Sequence, residues 1–358
     1  MDAILAERYH ALMDRRPLRI AILAVAFLMP AIAHAAQPVI LTHSHGLTYS
    51  ADGKQLIISS HEGLAIYADE RWSTAPGPAH DFKSLAASRD ALYSSGHPAP
   101  GSRIADPMGL IKSTDGGKTW RKLGLHSESD FHTMAASLGV NAVYVANRQP
   151  NSKMGGTGIH YTLDDGVHWR RAGVKGLGGP IHQLAVHPSN PRMVAAASDE
   201  GLYLSRDRAD TFERLGDPGY VLAVSFDVDG EHLWFSGYAA DKPLLMRIRL
   251  ASGATAADVG LSLLGEDAVA RITQNPVRST EIAIATFKRD VFVSHDLGKT
   301  WTQIAVAGVA TKSARPQTAR RSAPARARSS RMLTPVNSCT VRRCINTCGM
   351  RWVGCFHA

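Results

Sequence analysis

Cysteine is missing from the first 338 residues of this chain; all four lie further on, at Cys339, Cys344, Cys348 and Cys355. The body of the sequence therefore has no disulfide framework and no thiolate metal site. The four cysteines also lack the close C-x-x-C spacing of a zinc site; a disulfide pair in an oxidising compartment is open to them, the other reading being a solvated extension without a role. Long apolar runs are scarce. The one clear run, Ile20 to Met29, has ten residues, against roughly 20 for a spanning helix. Sustained helical periodicity is absent beyond this leader. Charge of one sign is absent from the body too. The net +9 belongs to the end of the chain: from Lys312 onward there are 10 Lys or Arg and no Asp or Glu, leaving 30 basic against 31 acidic residues elsewhere. A near-neutral body lacks the electrostatic footprint of a nucleic-acid binder.

The two ends read as extensions. Arg15, Arg16 and Arg19 precede the apolar run, and Ala33-His34-Ala35 follows it as a small-x-small cleavage site. That order is a signal peptide, so residues 1–35 are expected to be removed and the protein to be periplasmic or secreted, with no membrane span in the mature chain. Residues 314–331 are almost entirely Ala, Arg, Ser, Pro, Gln and Thr. Such a segment buries too little apolar surface to fold alone, so 311–358 is expected to be a basic disordered tail. The abrupt shift in composition also fits a change of reading frame. Residues 36–310 remain as one folded domain, expected to be a monomer.

This domain repeats itself. Ser113-Thr114-Asp115-Gly116-Gly117-Lys118-Thr119-Trp120 recurs as Ser294-His295-Asp296-Leu297-Gly298-Lys299-Thr300-Trp301. Looser copies run from Thr162 through Asp164 to Trp169 and from Ser205 through Asp207 to Phe212. The steps between copies are 49, 43 and 89 residues, the last spanning two units, with a degenerate unit near Ile248 to Gly253. A worn copy at Ala68-Asp69-Glu70-Arg71-Trp72 precedes them. Units of this length match a four-stranded propeller blade. Short alternating or apolar runs between turn residues, such as Gln55 to Ser59 and Gly63 to Tyr67, fit the same reading. The expectation is an all-β propeller of six four-stranded blades, with seven the alternative if strands near Val39 and the tail pair up.

The motif S-x-D-x-G-x-T-W resembles the Asp-box of BNR-repeat propellers, a broad group that includes sialidases, sortilin-type receptors, xyloglucan hydrolases and a photosystem assembly factor. The resemblance covers about residues 40 to 310. It implies a hairpin between the third and fourth strands of a blade. There the hydroxyl and carboxylate bond turn N–H groups, and the aromatic residue wedges between sheets. Asp115, Trp120, Asp164, Trp169, Asp207, Phe212, Asp296 and Trp301 are accordingly read as structural. His43-x-His45-Gly-Leu, Ser-Gly-His97-Pro and Asp130-Phe-His132 also resemble bacterial exported Asp-box proteins labelled glycosyl hydrolase or sialidase-like. The arginine triad and Phe-Arg-Ile-Pro motif of sialidases are not visible here.

Propeller geometry puts loops before first strands and after second strands on one face, opposite the boxes. That face collects His43, His45, His61, Glu62, His80, Asp81, His97, Asp130, His132, Arg148 and His182 as candidate ligand-binding residues. Strand alignment places His45, Lys83, His132 and His182 at one equivalent position, while blades five and six offer Tyr220 and Asp267. His43, His45, Asp130 and His132 have the donor types and i, i+2 spacing for a divalent metal, the one cofactor the pattern suggests. Two functions follow. The first is a binding module for a metal, a small ligand or an envelope protein. The alternative is a glycoside hydrolase using two of Asp81, Asp130, Glu62 and Asp199.

Overall fold

The computed structural model describes residues 39–216, 219–251, 257–258, 267–311 and 317–318. The leader, residues 217–218, most of 252–266 and nearly all of the tail with its four cysteines lie outside them. The described residues form six antiparallel sheets, with no helix. None, therefore, holds a helix long and apolar enough to cross a membrane.

Blade one is β1 (Gly46–Tyr49), β2 (Leu56–Ser60), β3 (Gly63–Ala68) and β4 (Arg71–Thr74). Blade two is β5 (Asp81–Ala87), β6 (Leu92–His97), β7 (Leu110–Ser113) and β8 (Arg121–Gly124). Blade three is β9 (Met134–Ala136), β10 (Val143–Asn147), β11 (Gly158–Thr162) and β12 (Arg170–Arg171). Blade four is β13 (Ile181–Val186), β14 (Val194–Ser198), β15 (Gly201–Ser205) and β16 (Glu213–Arg214). Blade five is β17 (Tyr220–Phe226), β18 (His232–Ala239), β19 (Lys242–Arg249) and β20 (Ala257–Asp258). Blade six is β21 (Val269–Gln274), β22 (Ile282–Thr286), β23 (Val291–Ser294), β24 (Thr300–Val306) and β25 (Val309–Ala310), with Gln317–Thr318 pairing to Thr300–Trp301. Each blade runs in chain order.

Both faces of each sheet are covered by neighbours. Second strands are therefore mostly apolar and end in small hydroxyl residues: β2, β14 and β22 are buried at every residue. Six apolar clusters sit at the six seams between blades, for example Ile57, Leu64, Phe82 and Ile111 between blades one and two. The seam between blades six and one is closed by Leu47, Ile58, Ala283 and Val293.

Four box hairpins share one network. Ser113 Oγ donates to Asp115 Oδ1 (2.8 Å) and accepts from Gly117 N (2.8 Å), while Asp115 accepts from Thr119 N (2.9 Å) and Thr119 Oγ1 (2.6 Å). The same bonds recur around Asp164, Asp207 and Asp296. The aromatic residue of each box packs into the seam with the preceding blade: Trp120 joins the cluster of Ile57 and Leu64 of blade one, and Trp169 joins that of Tyr93 and Leu110 of blade two. Within their own blades Trp120 lies 5.1 Å from Phe82 and Trp169 lies 6.1 Å from Phe131. Phe212 and Trp301 join the seam clusters of blades three–four and five–six. The worn copy in blade one lacks the hydroxyl. It turns instead through Asp69 and Glu70, both at positive φ, as a two-residue hairpin. Its Trp72 still crosses the seam and donates to Ile304 O at 2.8 Å.

Among the described residues no seventh blade forms. The segment before blade one does pair with the end of the domain, but it becomes the outer edge of blade six. Ile40 bridges Val309, Leu41 N donates to Gly308 O (2.7 Å) and Ala310 N donates to Val39 O (3.2 Å). The two ends of the domain thus close the ring in one sheet.

Candidate functional site

The inner strands β1, β5, β9, β13, β17 and β21 surround a central channel. On the box side it widens to a cavity of about 160 Å³, to which all six contribute, among them Tyr49, Ala87, Ala136, Val186, Phe226 and Gln274. Nearer the other face it narrows to about 40 Å³, lined by His45, Ser84, His132, His182, Gln183 and Arg271 among others.

Strand register explains which side chains reach this throat. Gly46 pairs with Ser59, Ser84 with Ser95, Gln183 with Ala197 and Arg271 with Ala285. The preceding residue in each blade is His45, Lys83, His182 or Ala270, and His132 holds that place in blade three. Lys83, His182, Leu222 and Ala270 are each skipped by the ladder as bulges. A bulge bends its strand and re-aims the extra residue. The histidines of blades one, three and four converge, while Leu222 and Ala270 carry no polar group, so the site is lopsided.

At the mouth, His43, His45 and His61 bring their ligating nitrogens within 4.8 Å of one another. His43 and His45 sit just before β1, and His61 is in the turn between β2 and β3. The Nε2 atoms of His45 and His61 face each other at 3.3 Å. His61 Nδ1 bonds Asp81 Oδ1 at 2.7 Å, which assigns its proton to that side and leaves Nε2 as a lone pair. Lys83 Nζ holds the other carboxylate oxygen of Asp81 at 2.8 Å. Asp81 begins β5 against Gly96, where a Cβ would lie 2.0 Å from Asp81 O; only glycine at φ +142° permits that approach. Burial, then electrostatic coupling to His61 and to the Arg271 guanidinium, pushes His45 down to about 2. His43 is lowered by burial, His61 and Arg289. His43 and His45 are thereby held neutral at physiological pH.

A second group spans the seam between blades two and three. His97 Nδ1 bonds Asp106 Oδ1 at 2.6 Å, and its Nε2 lies 3.5 Å from Asp130 Oδ2. His132 Nε2 bonds the same Asp130 oxygen at 2.7 Å. His97 is raised to about 9, first by Asp130, against the cost of burial, and then by Asp106. The Asp106 contact is shorter, but Asp106 is 62% exposed against 32% for Asp130, so solvent screens it more. Burial works against ionising Asp130, yet hydrogen bonds from His132 and His97 hold it well below the usual carboxylate range. A third group joins blades four and five: His182 Nε2 bonds Asp199 Oδ1 at 2.6 Å, and its ring lies 5.0 Å from Tyr220. Burial, then Asp199, raises the Tyr220 hydroxyl.

The four residues read from the sequence as a metal set therefore divide. His43 and His45 group with His61, while Asp130 and His132 group with His97 on a different seam. His80 stands apart: it is 1% exposed, its Nδ1 accepts from Ala99 N at 2.8 Å, and its ring meets the edge of Phe82. Glu62 and Arg148 are exposed. Asp267 is buried, accepting from Ala268 N and from Lys288 N in the turn between β22 and β23. Sequence reasoning missed Arg271, which follows the aligned column by one residue. It missed Asp106 in the long β6–β7 loop. It also missed Asp227, Asp229 and His232 on the box face, where Arg247 already pairs with Asp227.

The profile of the BNR/Asp-box repeat matches residues 111–122. No curated protein matches the chain in sequence. Among solved structures, the chain is similar to the GH74 enzyme of Niastella koreensis at 15% identity, over 75% of this chain and 46% of that one, with a TM-score of 0.52. It spans less than half of that enzyme's length. YCF48 of Cyanidioschyzon merolae is similar at 14% identity over 76% and 87%, with a TM-score of 0.45. A YCF48 bound to a D1 peptide is similar at 17% over 75% and 83%, with a TM-score of 0.44. At these identities the likeness speaks to fold. Its architecture and its four shared turn networks make this chain a six-bladed β-propeller carrying BNR/Asp-box repeats.

Proposed function

We propose that this protein is an exported binding propeller that takes a divalent transition-metal ion on His43, His45 and His61 at the channel mouth. The observation that carries the reading is three imidazole nitrogens within 4.8 Å of one another, with Asp81 bonded to the far nitrogen of His61. A carboxylate on the second ring nitrogen fixes the tautomer and raises ligand basicity, the usual arrangement around a ligating histidine. Neutral imidazoles without a thiolate suit zinc, nickel or copper, with copper the tightest. His45 and His61 already point Nε2 at Nε2, and a cation between them would replace their shared hydrogen bond. The signal-like leader supports placing the domain in the periplasm or outside the cell.

The hydrolase alternative has less support. A glycosidase needs a carboxyl group kept protonated as general acid. Asp81, Asp130 and Asp199 are engaged by histidine or lysine, and Asp130 is held ionised. Among the described residues the one carboxyl raised by burial, Asp227, lies on the opposite face.

Calorimetry on chelator-stripped protein with zinc, nickel and copper tests the proposal. One saturable site should appear, weakened about 100-fold in His45→Ala and about tenfold in Asp81→Asn. Equal heats for wild type and His45→Ala would end it.

A further inference from the structure

We propose that the channel throat binds one small oxyanion, clasped by Arg271 with Ser84 and Gln183. This goes beyond the metal reading: the throat shares only His45 with the three-histidine cluster, and the proposed donors come from β5, β13 and β21.

The argument begins with an uncompensated charge. Arg271 projects from β21 into the throat. Its Nε donates to His45 O at 3.1 Å and its Nη1 to Ala270 O at 2.7 Å. Both acceptors are neutral carbonyls, and among the described residues no carboxylate pairs with it. The lining of the throat contains no Asp or Glu at all. A cation enclosed without a counter-charge is costly, and an anion beside it removes that cost. Two of the five guanidinium N–H groups are used, so the planar fork keeps donors for a carboxylate or phosphate edge.

Two further donors belong to residues that line the same space. Ser84 is 2% exposed and its Oγ has no hydrogen-bond partner. A buried hydroxyl in a native fold ordinarily has one. Gln183 uses Oε1 to accept from Val224 N at 3.3 Å, which leaves its amide N–H groups without a described acceptor. The volume fits. The throat measures about 40 Å³, and at about 10–15 Å³ per water it holds about three oxygen-sized atoms. That is a formate or acetate head, or one face of a phosphate. The lining residues themselves include no acid, the nearest carboxylates, Asp130 and Asp199, being bonded to His132 and His182, and three different donor types belong to that lining.

The full chain, stripped of metal by a chelator and dialysed, should be titrated calorimetrically with formate, acetate and inorganic phosphate in turn. At least one should bind with one-to-one stoichiometry and a Kd at or below about 1 mM. Arg271→Gln should weaken it about tenfold or more, and Ser84→Ala by a smaller factor. Gln183→Glu covers the case in which Arg271→Gln does not fold. Glutamate keeps the acceptor for Val224 N but supplies the missing counter-charge, so it should abolish anion binding and raise the thermal midpoint of the anion-free protein. Absence of saturable heat with all three anions would overturn the proposal, as would unchanged affinity in Arg271→Gln or undiminished anion binding in Gln183→Glu. Zinc titration of the same samples keeps the two sites apart, since Arg271→Gln should leave the three-histidine cluster able to bind.

Discussion

Asp296 and Trp301 belong to the same box yet hold blade six by different means. Trp301 is 0% exposed and fills the seam with Trp234 and Leu245 of blade five. Asp296 sits near the surface and ties the turn through Ser294 and Thr300. Trp301→Ala should therefore cost about 3–5 kcal/mol, as a cavity in a packed seam. Asp296→Ala should cost about 1–2 kcal/mol from lost turn hydrogen bonds. Denaturant titration of both variants checks the ranking. Trp120 is only partly buried and caps Phe82 from the rim, so Trp120→Ala should fall below Trp301→Ala. The roles of these residues were readable in the sequence because hydroxyl, carboxylate, glycine and aromatic recur at fixed offsets, and each offset matches one bond of the turn. How deeply each aromatic is buried was not readable. That depends on what the neighbouring blade presents, which lies about one blade length away in the chain.

The elements of the mouth are joined across seams by imidazole–carboxylate pairs, and one of these gives a pH dependence of stability. His97 at the end of β6 is raised to about 9 by Asp130 before β9 and by Asp106. A raised histidine contributes stability that is complete below its unfolded value of about 6.5 and is lost as pH climbs toward 9. Asp130 is depressed, so its contribution is complete above about pH 4 and is lost on acidification. The seam should be firmest between about pH 4 and 6.5. Removing it with His97→Gln should lower the thermal midpoint most in that window, by about 1–3 °C, and leave wild type and variant alike above pH 10. A constant difference across pH would contradict the assignment. Strand order made part of this site legible, because equivalent positions on inner strands share a face. His45, Lys83, His132 and His182 could be aligned on that ground alone. Arg271 escaped because the bulge at Ala270 puts the arginine one position past the column. His61 could be placed on the face but not against His45, since that contact is made through a turn.

At the scale of the whole ring, closure depends on a few residues at the start of the domain. Val39 to Leu41 complete blade six against Val309, and the described residues beyond Ala310 add only Thr311 and the short Gln317–Thr318 pairing at the edge of β24. Ending the chain after Thr311 should leave the thermal midpoint within about a few degrees, by differential scanning calorimetry. Starting it after Leu41 should cost more, because that removes a buried leucine and an edge pairing together. The same closure governs timing. Leu41, which bonds Gly308, is two residues before His43, and Arg289 reaches Thr42 O at 3.5 Å. The first histidine of the cluster is therefore seated by the last blade made. A chain ending before Val291 carries all three histidines but not the strands that seat the first of them. It follows from the proposed metal site that such a fragment should bind zinc more weakly than the finished ring in calorimetry, and that competence to bind would arrive at the end of synthesis and folding.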